Sequence, residues 1–174
     1  MGRGEGIAVT VEELVDAHAA DVRRYLYRRL VGAADPASTA DDLTADVLVI
    51  AWRRRADIPD DAELPWLYAV ARRVLANYRR RPQQVLVADL GSLDAIDEAD
   101  PAEIVTDNVA LAQAWRTLSP RDREVLRLVA WEGLGGADLA TALGISEGGA
   151  AAALSRARSK FEQSLSSVQG TPTT

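Results

Sequence analysis

Apolar residues recur through most of the chain at the three- and four-residue intervals of amphipathic helices. The first such segment covers residues 11–31, with Thr10 as its predicted N-cap and Glu12 and Glu13 in its first turn. The apolar positions on its shared face are Val11, Val15, Val22, Leu26 and Leu30. The pattern therefore predicts one amphipathic helix over this segment.

Two further helices are predicted in the first half of the chain. A turn that contains Pro36 precedes Thr39, the predicted N-cap of a helix that ends before Pro59. The shared face of this helix carries Leu43, Val47, Ile50 and Ala51. Pro65 fits the first turn of the next helix, which ends in a run of arginines. Its recurring positions are Leu67, Ala71, Val74 and Tyr78.

Residues 82–108 show no sustained period, and they contain seven acidic residues and no basic one. Gly91 and Pro101 also favour an extended conformation. We therefore predict an acidic flexible linker between a domain at 1–81 and a domain at 109–168. Residues 169–174 are expected to be a disordered tail.

The second block is also helical by pattern. Leu111, Trp115 and Leu118 mark one helix, and Ser119-Pro120 is a cap followed by a first-turn proline. Further helices are expected over a segment marked by Val125, Leu128 and Val129, over 137–143, and over 147–165. No alternating strand pattern persists anywhere, so the chain is predicted to be all-α, with two small helical domains.

Residues 136–158 favour a helix-turn-helix, in which two short helices pack across a tight turn. Ala140 is small where the helices would cross, Gly144 fits a turn that needs a positive φ, and Ser146 is the predicted cap of the second helix. The buried stripe of that helix is expected to be Ala150, Leu154, Ala157 and Phe161. The pattern alone also fits an ordinary αα-hairpin.

The exposed face of the second helix is predicted to be small and apolar. Its members are Gly148, Gly149, Ala151, Ala152 and Ala153. None of these side chains donates a hydrogen bond to a base edge. Arg156, Arg158 and Lys160 follow and suit phosphate contacts.

Residues 64–84 combine aromatic rings with five arginines. Interleaved rings and cations suit single-stranded nucleic acid, because bases stack on rings and arginine neutralises phosphate. Taken singly, Trp66, Leu67 and Tyr78 fit a hydrophobic core better than a stacking surface.

Composition narrows the remaining chemistry. The absence of cysteine excludes disulfide scaffolds, zinc fingers and thiol catalysis, and a single histidine, His18, excludes a multi-histidine metal site. A net charge of −6 argues against coating nucleic acid nonspecifically. The sequence has no long apolar run, so we expect neither a signal peptide nor membrane insertion. We therefore expect the protein to be cytoplasmic.

Taken in order, these parts resemble the extracytoplasmic-function (ECF) sigma factors of bacterial RNA polymerase, from about Val11 to Leu165. The segments that carry the resemblance are DDLTADVLVIAW (41–52), WLYAVARRVLANYRRR (66–81), LSPRDREVLRLVAWEGLGGADLATALGIS (118–146) and LSRAR (154–158). The bias toward arginine and alanine resembles actinobacterial members. The resemblance implies an all-α fold with sigma domain two, an acidic linker and a helix-turn-helix sigma domain four.

The resemblance also implies residue roles. The helix at 41–52 would bind the polymerase clamp through Asp41, Asp42, Leu43, Asp46, Val47, Val49, Ile50, Trp52 and Arg53. The −10 element would be recognised and melted near Trp66, Arg72, Arg73, Asn77, Arg79 and Arg80. The −35 element would be bound by Arg121, Arg123, Arg127, Ser146, Glu147, Gly149, Ala150, Ser155, Arg156 and Arg158. The implied partners are core RNA polymerase, through its β′ clamp and β flap, promoter DNA, and an anti-sigma factor.

Two departures from the family pattern leave an alternative open. Ala45-Asp46 stands where many relatives have Gln-Glu, and Ala151 and Ala153 stand where relatives usually have Lys or Arg. The alternative is a sigma-like protein that binds polymerase or an anti-sigma partner but reads −35 DNA poorly. An enzyme is disfavoured, because no acidic cluster has metal-ligand spacing and no glycine-rich phosphate loop is present. No cofactor or metal is expected.

Overall fold

The computed structural model describes residues 11–80 and 108–169, and both ranges are helical without strands. The all-α prediction is therefore confirmed for the described part of the chain. The chain divides into two compact units, residues 1–85 and 86–174. The predicted linker at 82–108, apart from Asn108, and the tail beyond Gln169 lie outside the described residues.

Within residues 11–80, the first unit contains three helices and one short 3₁₀ turn. The helices are α1 (Val11–Leu30), α2 (Pro36–Arg53) and α3 (Glu63–Arg80), and the 3₁₀ turn is Arg55–Asp57. Most of the predicted apolar positions are buried in this unit, and those with no exposed surface include Val22, Leu26, Val47, Leu67 and Ala71. Val15, Ile50 and Tyr78 are half-buried. Burial of these stripes against one another supplies most of the stabilisation of a small helical unit.

The start of α2 differs from the prediction that Thr39 caps it. The cap is Asp35, whose Oδ1 accepts a hydrogen bond from the Ser38 backbone N–H at 3.1 Å. Pro36 occupies the first turn, where its fixed φ suits a helix and its missing N–H costs nothing. Pro36 therefore begins the helix instead of breaking it. Pro65, by contrast, lies in the first turn of α3, as predicted.

A buried arginine ties the first unit together, and sequence reasoning did not identify it. Arg29 is 2% exposed, its guanidinium lies 3.5 Å from the ring centroid of Tyr25, and its Nη1 donates to the Tyr25 carbonyl at 3.0 Å. The Tyr25 ring centroid lies 5.0 Å from that of Tyr68 on α3. Arg79 of α3 donates through Nη2 to the Arg29 carbonyl at 2.9 Å. These contacts join the end of α1 to α3.

Replacing Arg29 with alanine is expected to lower the free energy of unfolding by about 2–4 kcal/mol, because a buried side chain and its contacts are lost. The matched control is Arg24→Ala on the same helix, since Arg24 is exposed and pairs with Asp21. That exposed pair is expected to contribute under ~1 kcal/mol. Urea unfolding followed by circular dichroism measures both, and equal losses would contradict a structural role for Arg29.

The second unit consists of α4 (Val109–Arg116), α5 (Pro120–Ala130), α6 (Gly136–Leu143) and α7 (Glu147–Gln169). Three side chains cap its helices, as their residue types favour. Asn108 accepts from the Leu111 N–H at 3.1 Å, Ser119 from the Asp122 N–H at 3.1 Å, and Ser146 from the Gly149 N–H at 3.2 Å. The predicted caps Ser119 and Ser146 are therefore confirmed.

The helix-turn-helix prediction is confirmed by the tight turn between α6 and α7. Gly144 ends α6 with φ 68° and ψ 36°, a left-handed conformation that L side chains rarely adopt. Ala140 and Ala150 are 4% and 1% exposed, so small residues stand where the helices pack. The short α6, the tight turn and the long α7 together form the motif.

Ala153 was predicted to lie on the exposed face of α7, and that prediction is wrong. Its exposure is 5%, and it lies in one buried cluster with Val125 of α5 and Ala157 of α7. The reason is helical spacing, because Ala150, Ala153 and Ala157 are three and four residues apart and share one side of the helix. Ala151 and Ala152 are exposed, as predicted.

Candidate nucleic-acid and protein interfaces

The side chains predicted to bind a protein partner through α2 divide into two sets. Leu43 and Val47 are buried against the rest of the first unit, at 6% and 0% exposure, and Ile50 is half-buried. The exposed residues follow one line along the helix, and we name them the α2 face: Asp42, Asp46, Val49, Trp52 and Arg53. The first set holds the helix in place, and the second set is available to a partner.

Two large apolar side chains stand out on the α2 face. Val49 is 46% exposed and Trp52 is 55% exposed, and they lie three residues apart on one side of α2. The acidic residues Asp42 and Asp46 precede them along the same line. Neighbouring exposed apolar groups with a charged border are typical of protein-binding surfaces.

Asp41 does not belong to this face. It forms an ion pair with Arg23 of α1, and Arg23 Nη2 also donates to Asp41 Oδ2 at 3.4 Å. The hydrogen bond from Arg23 holds the pKa of the Asp41 carboxyl below its usual value. In this structure Asp41 therefore joins α1 to α2.

The side chains predicted to contact single-stranded DNA lie on different sides of α3. Arg73, Asn77 and Arg80 are exposed at helical spacing, and Arg80 donates to the Asn77 side-chain oxygen. We name these three residues the α3 face. Arg72 is half-buried, and Arg79 is held by its bond to the end of α1. The α3 face therefore presents two cations and an amide together to solvent.

Trp66 lies at the start of α3 and is half-buried. The guanidinium of Arg54 lies 5.9 Å from its ring centroid, and Arg54 Nε also donates to Asp57 Oδ2 at 2.9 Å. Arg54 was not among the predicted site residues. The run of three arginines at 53–55 was the available signal, but only the fold shows that the middle one approaches the tryptophan.

The residues predicted to contact duplex DNA in the second unit are distributed unevenly. Arg123 and Gly149 are half-buried, and Arg123 Nη2 donates to the Arg116 carbonyl at 3.0 Å. Ala150 is buried in the helix crossing at 1% exposure. The exposed members are Arg121, Ser146, Glu147, Ser155, Arg156 and Arg158.

Arg127 was predicted to hold a phosphate, and its position contradicts this. It is 4% exposed, and its guanidinium lies 5.4 Å from the ring centroid of Trp115 and 5.3 Å from that of Trp131. Cation–π contacts on two rings stabilise a buried guanidinium. Arg127 is therefore part of the interior of the second unit, and the phosphate-facing set loses one cation.

The exposed side chains of α7 change from small or acidic residues at its start to basic residues further along. Its first two turns expose Glu147, Gly148, Ala151 and Ala152, and none of these side chains has a hydrogen-bond donor. Cations begin at Arg156, followed by Arg158 and Lys160. In a helix-turn-helix, the N-terminal residues of the second helix meet base edges in the major groove. The first two turns of α7 therefore offer a partner one acceptor, Glu147, and small apolar surfaces.

Asp122 lies in the first turn of α5 and is 9% exposed. Its Oδ2 accepts hydrogen bonds from Lys160 Nζ at 2.6 Å and from Ser119 Oγ at 2.7 Å. Burial by itself raises the pKa of Asp122. The hydrogen bonds from Lys160 and Ser119 and the charges of Lys160 and Arg156 outweigh that effect, so the pKa lies below its ordinary value. The ionised carboxylate thus joins α5 to α7.

Stability is expected to depend on the charge of Asp122. A pKa that is lower in the folded than in the unfolded chain stabilises the fold at neutral pH, and this is lost as pH falls through the folded-state pKa. Asp122→Asn should therefore lower the free energy of unfolding by about 1 kcal/mol near neutral pH. The difference from the unmodified chain should shrink below about pH 4. Urea unfolding of both proteins across pH tests this, and a constant difference would contradict it.

Residues 11–80 and 108–169 contain neither a candidate membrane span nor a candidate metal-ion cluster. No helix in them is both long enough and apolar enough to cross a membrane. Nor do they contain three or more acidic or histidine side chains grouped so as to hold a metal ion.

Comparisons with known proteins agree with this arrangement. The family described as Sigma-70 region 2 matches residues 14–84, and the family described as Sigma-70, region 4 matches residues 108–161. The ECF RNA polymerase sigma factor SigL of Mycobacterium tuberculosis is 30% identical over 152 residues, which cover 84% of each chain. The RNA polymerase sigma factor CnrH of Cupriavidus metallidurans is 32% identical over 143 residues, which cover 75% of each chain.

A solved structure adds a likeness in fold. It is the sigma factor RpoE of Bartonella quintana in complex with the anti-sigma factor NepR, with a TM-score of 0.50 and 18% identity. The match covers 89% of this chain and 96% of that one. Together with the two family matches and the relatives that align over most of their length, the helical units establish the family. The chain belongs to the sigma-70 family of RNA polymerase sigma factors, within its ECF group.

Proposed function

We propose that the first unit binds the β′ clamp of core RNA polymerase through the α2 face. The observation that carries this assignment is the exposure of Val49 and Trp52 beside the carboxylates of Asp42 and Asp46. Burial of an exposed tryptophan in a partner pocket is a common source of binding energy. Leu43 and Val47 act indirectly, because they hold α2 on the unit. Asp41 and Ile50 contribute less to clamp binding than the residues of the α2 face.

In the same unit, the α3 face meets the opened strand of the −10 element. Arg73 and Arg80 supply positive charge for phosphates, and Asn77 supplies both a donor and an acceptor for a base edge. Trp66, half-buried under Arg54, offers an aromatic edge near the start of α3. Arg79 supports this surface by fixing α3 to the end of α1.

The second unit binds the −35 duplex through its helix-turn-helix and contacts the polymerase β flap. Arg121, Arg156 and Arg158 are the exposed cations that suit phosphate contacts. The alternative of a sigma-like protein that does not read promoters is not favoured, since both sigma regions match in order along the chain. The small face of α7 predicts modest discrimination at −35, not an absence of binding.

The remaining assignments follow the family. The protein acts as a non-catalytic initiation subunit in the cytoplasm, without a cofactor, and an anti-sigma factor holds it inactive. The acidic segment at 82–108 would lie near the active-site cleft and RNA exit path of polymerase. RpoE of Bartonella quintana, which shares this fold, was solved in complex with an anti-sigma factor.

In vitro transcription tests the proposal. Core polymerase and this protein are incubated with fragmented host DNA, and the 5′ ends of the transcripts are sequenced. New start sites that share −10 and −35 motifs are expected. Absence of new start sites, with binding to core polymerase shown in the same mixture, would overturn the promoter-reading role.

A further inference from the structure

An acidic side chain lies among the cations of the proposed −35 surface. Asp122 is bound by Lys160 Nζ at 2.6 Å, and the positive charge of Arg156 also acts on its carboxylate. The Asp122 side chain is 12% exposed and that of Lys160 is 55% exposed. Lys160 therefore remains at the surface, but its ammonium group is paired with the largely buried carboxylate of Asp122.

Arg156 and Lys160 follow, along α7, the small residues that would meet base edges in the proposed −35 role. Positions four apart form a row that is inclined to the helix axis, so Gly148, Ala152, Arg156 and Lys160 form one inclined line along α7. All four are exposed. The line begins at the end of α7 that meets base edges in a helix-turn-helix and continues toward the flanking phosphates.

We propose that Asp122 limits the affinity of this sigma factor for −35 DNA by withholding Lys160 from the phosphate backbone and by reducing the positive potential at Arg156. The inference rests on the proposed −35 role of the second unit and adds an affinity-setting residue to it. Asp122 acts through Lys160 and Arg156, so it is a positioning residue and contacts no DNA itself.

The physical basis is counterion release. Each phosphate that a protein cation neutralises releases counterions, so the logarithm of the affinity falls with the logarithm of salt concentration by about 0.9 per contact. A lysine that is paired with a carboxylate contributes little to this slope. Removal of the carboxylate charge should therefore add about one phosphate contact, which the slope measures directly.

The test compares Asp122→Asn with Glu162→Gln in the full chain, bound to a promoter duplex that carries the −35 element. Glu162 is exposed on α7 and lies two residues from Lys160, on a different side of the helix. Both variants change the net charge by the same amount. Fluorescence anisotropy over a series of salt concentrations gives the affinity and the slope, and thermal unfolding confirms that each variant is folded at the assay temperature.

Asp122→Asn is expected to raise affinity for the −35 duplex about fivefold at moderate salt, which is the scale of one exposed ion pair. It should also steepen the dependence of log affinity on log salt concentration by about 0.9. Glu162→Gln should leave the slope unchanged. An unchanged slope in Asp122→Asn, or an equal change in both variants, would overturn the proposal. A change in folding stability alone cannot steepen a salt slope, so that readout separates the proposed role from a purely structural one.

Lys160→Gln gives a second test that does not depend on the Asp122 variant. In the unmodified chain it should leave the slope nearly unchanged, because Lys160 is already paired. If Lys160→Gln alone makes the slope of log affinity against log salt concentration shallower by about 0.9, Lys160 already contacts phosphate. That result would contradict the proposal. In the Asp122→Asn background, by contrast, the same substitution should remove the added contact.

The proposed function and this inference fail in different ways. If scrambling the −35 element leaves promoter-dependent transcription by the holoenzyme unchanged, the proposed −35 role fails. If transcription depends on −35 while the Asp122→Asn slope equals that of the unmodified chain, only the inference fails.

Discussion

Ala153→Arg is expected to destabilise the second unit by about 3–5 kcal/mol, while Ala151→Arg changes stability by less than ~0.5 kcal/mol. Ala153 is 5% exposed against Val125 and Ala157, so a guanidinium there must be buried unpaired or must force α5 and α7 apart. Ala151 is exposed on the same helix, two residues earlier. Urea unfolding followed by circular dichroism measures both changes.

Ala151→Arg should also strengthen DNA binding. It places a donor in the second turn of α7, where the described face has none, and a well-placed arginine that bonds a guanine edge is worth about 1–3 kcal/mol of base discrimination. Gln163→Arg is the charge-matched control, because Gln163 is exposed near the other end of α7. Anisotropy with duplexes that differ only in −35 sequence is the measurement.

Two results would count against this pair of predictions. Equal stability of the Ala151→Arg and Ala153→Arg proteins would mean that Ala153 is not packed in the core. Equal DNA binding by Ala151→Arg and Gln163→Arg would mean that only net charge matters and that the second turn of α7 does not face base edges.

Trp52→Ala is expected to weaken binding to core RNA polymerase by about 2 kcal/mol, or roughly 30-fold, with little effect on folding. The side chain is 55% exposed, so its truncation removes few internal contacts. If it inserts into the clamp, however, its removal costs the burial of a large ring. Surface plasmon resonance with immobilised core polymerase measures the loss, and promoter-dependent transcription should fall in parallel.

Tyr27→Ala is the control for this prediction. Tyr27 is a large aromatic side chain of the same unit, 41% exposed, but it lies on α1 and outside the α2 face. Its truncation should leave polymerase affinity within about twofold, as is usual for residues away from a binding hot spot. A comparable loss from both substitutions would show that the partner contacts α1 as much as α2.

Sequence pattern alone predicted most of the local structure. The spacing of apolar residues predicted the helices, and the serines at 119 and 146 predicted two helix N-caps. Gly144 predicted the left-handed turn between α6 and α7. These features depend on residues near each other in the chain, so local rules suffice. The wrong cap at Thr39 was also a local decision, in which Pro36 was given the role of a breaker instead of a first-turn residue.

The candidate sites were predicted as stretches of sequence, and only the tertiary structure divided each stretch into interior and surface. Arg127 lies among Trp115 and Trp131, and Arg79 is bound to the Arg29 carbonyl of α1. Neither placement follows from residue type, because an arginine is ordinarily a surface residue. Ala153 differs, since its three-residue spacing from Ala150 already predicts the buried side.

The sequence by itself determined the helical class, the helix-turn-helix and the resemblance to sigma factors, because these reside in periodicity and in short motifs. The tertiary structure decided which charged groups remain available to partners. Lys160 is a surface lysine in the sequence, yet it is paired with Asp122, 38 residues earlier in the chain. Long-range pairing of this kind arises from the packing of α5 on α7, and no local pattern encodes it.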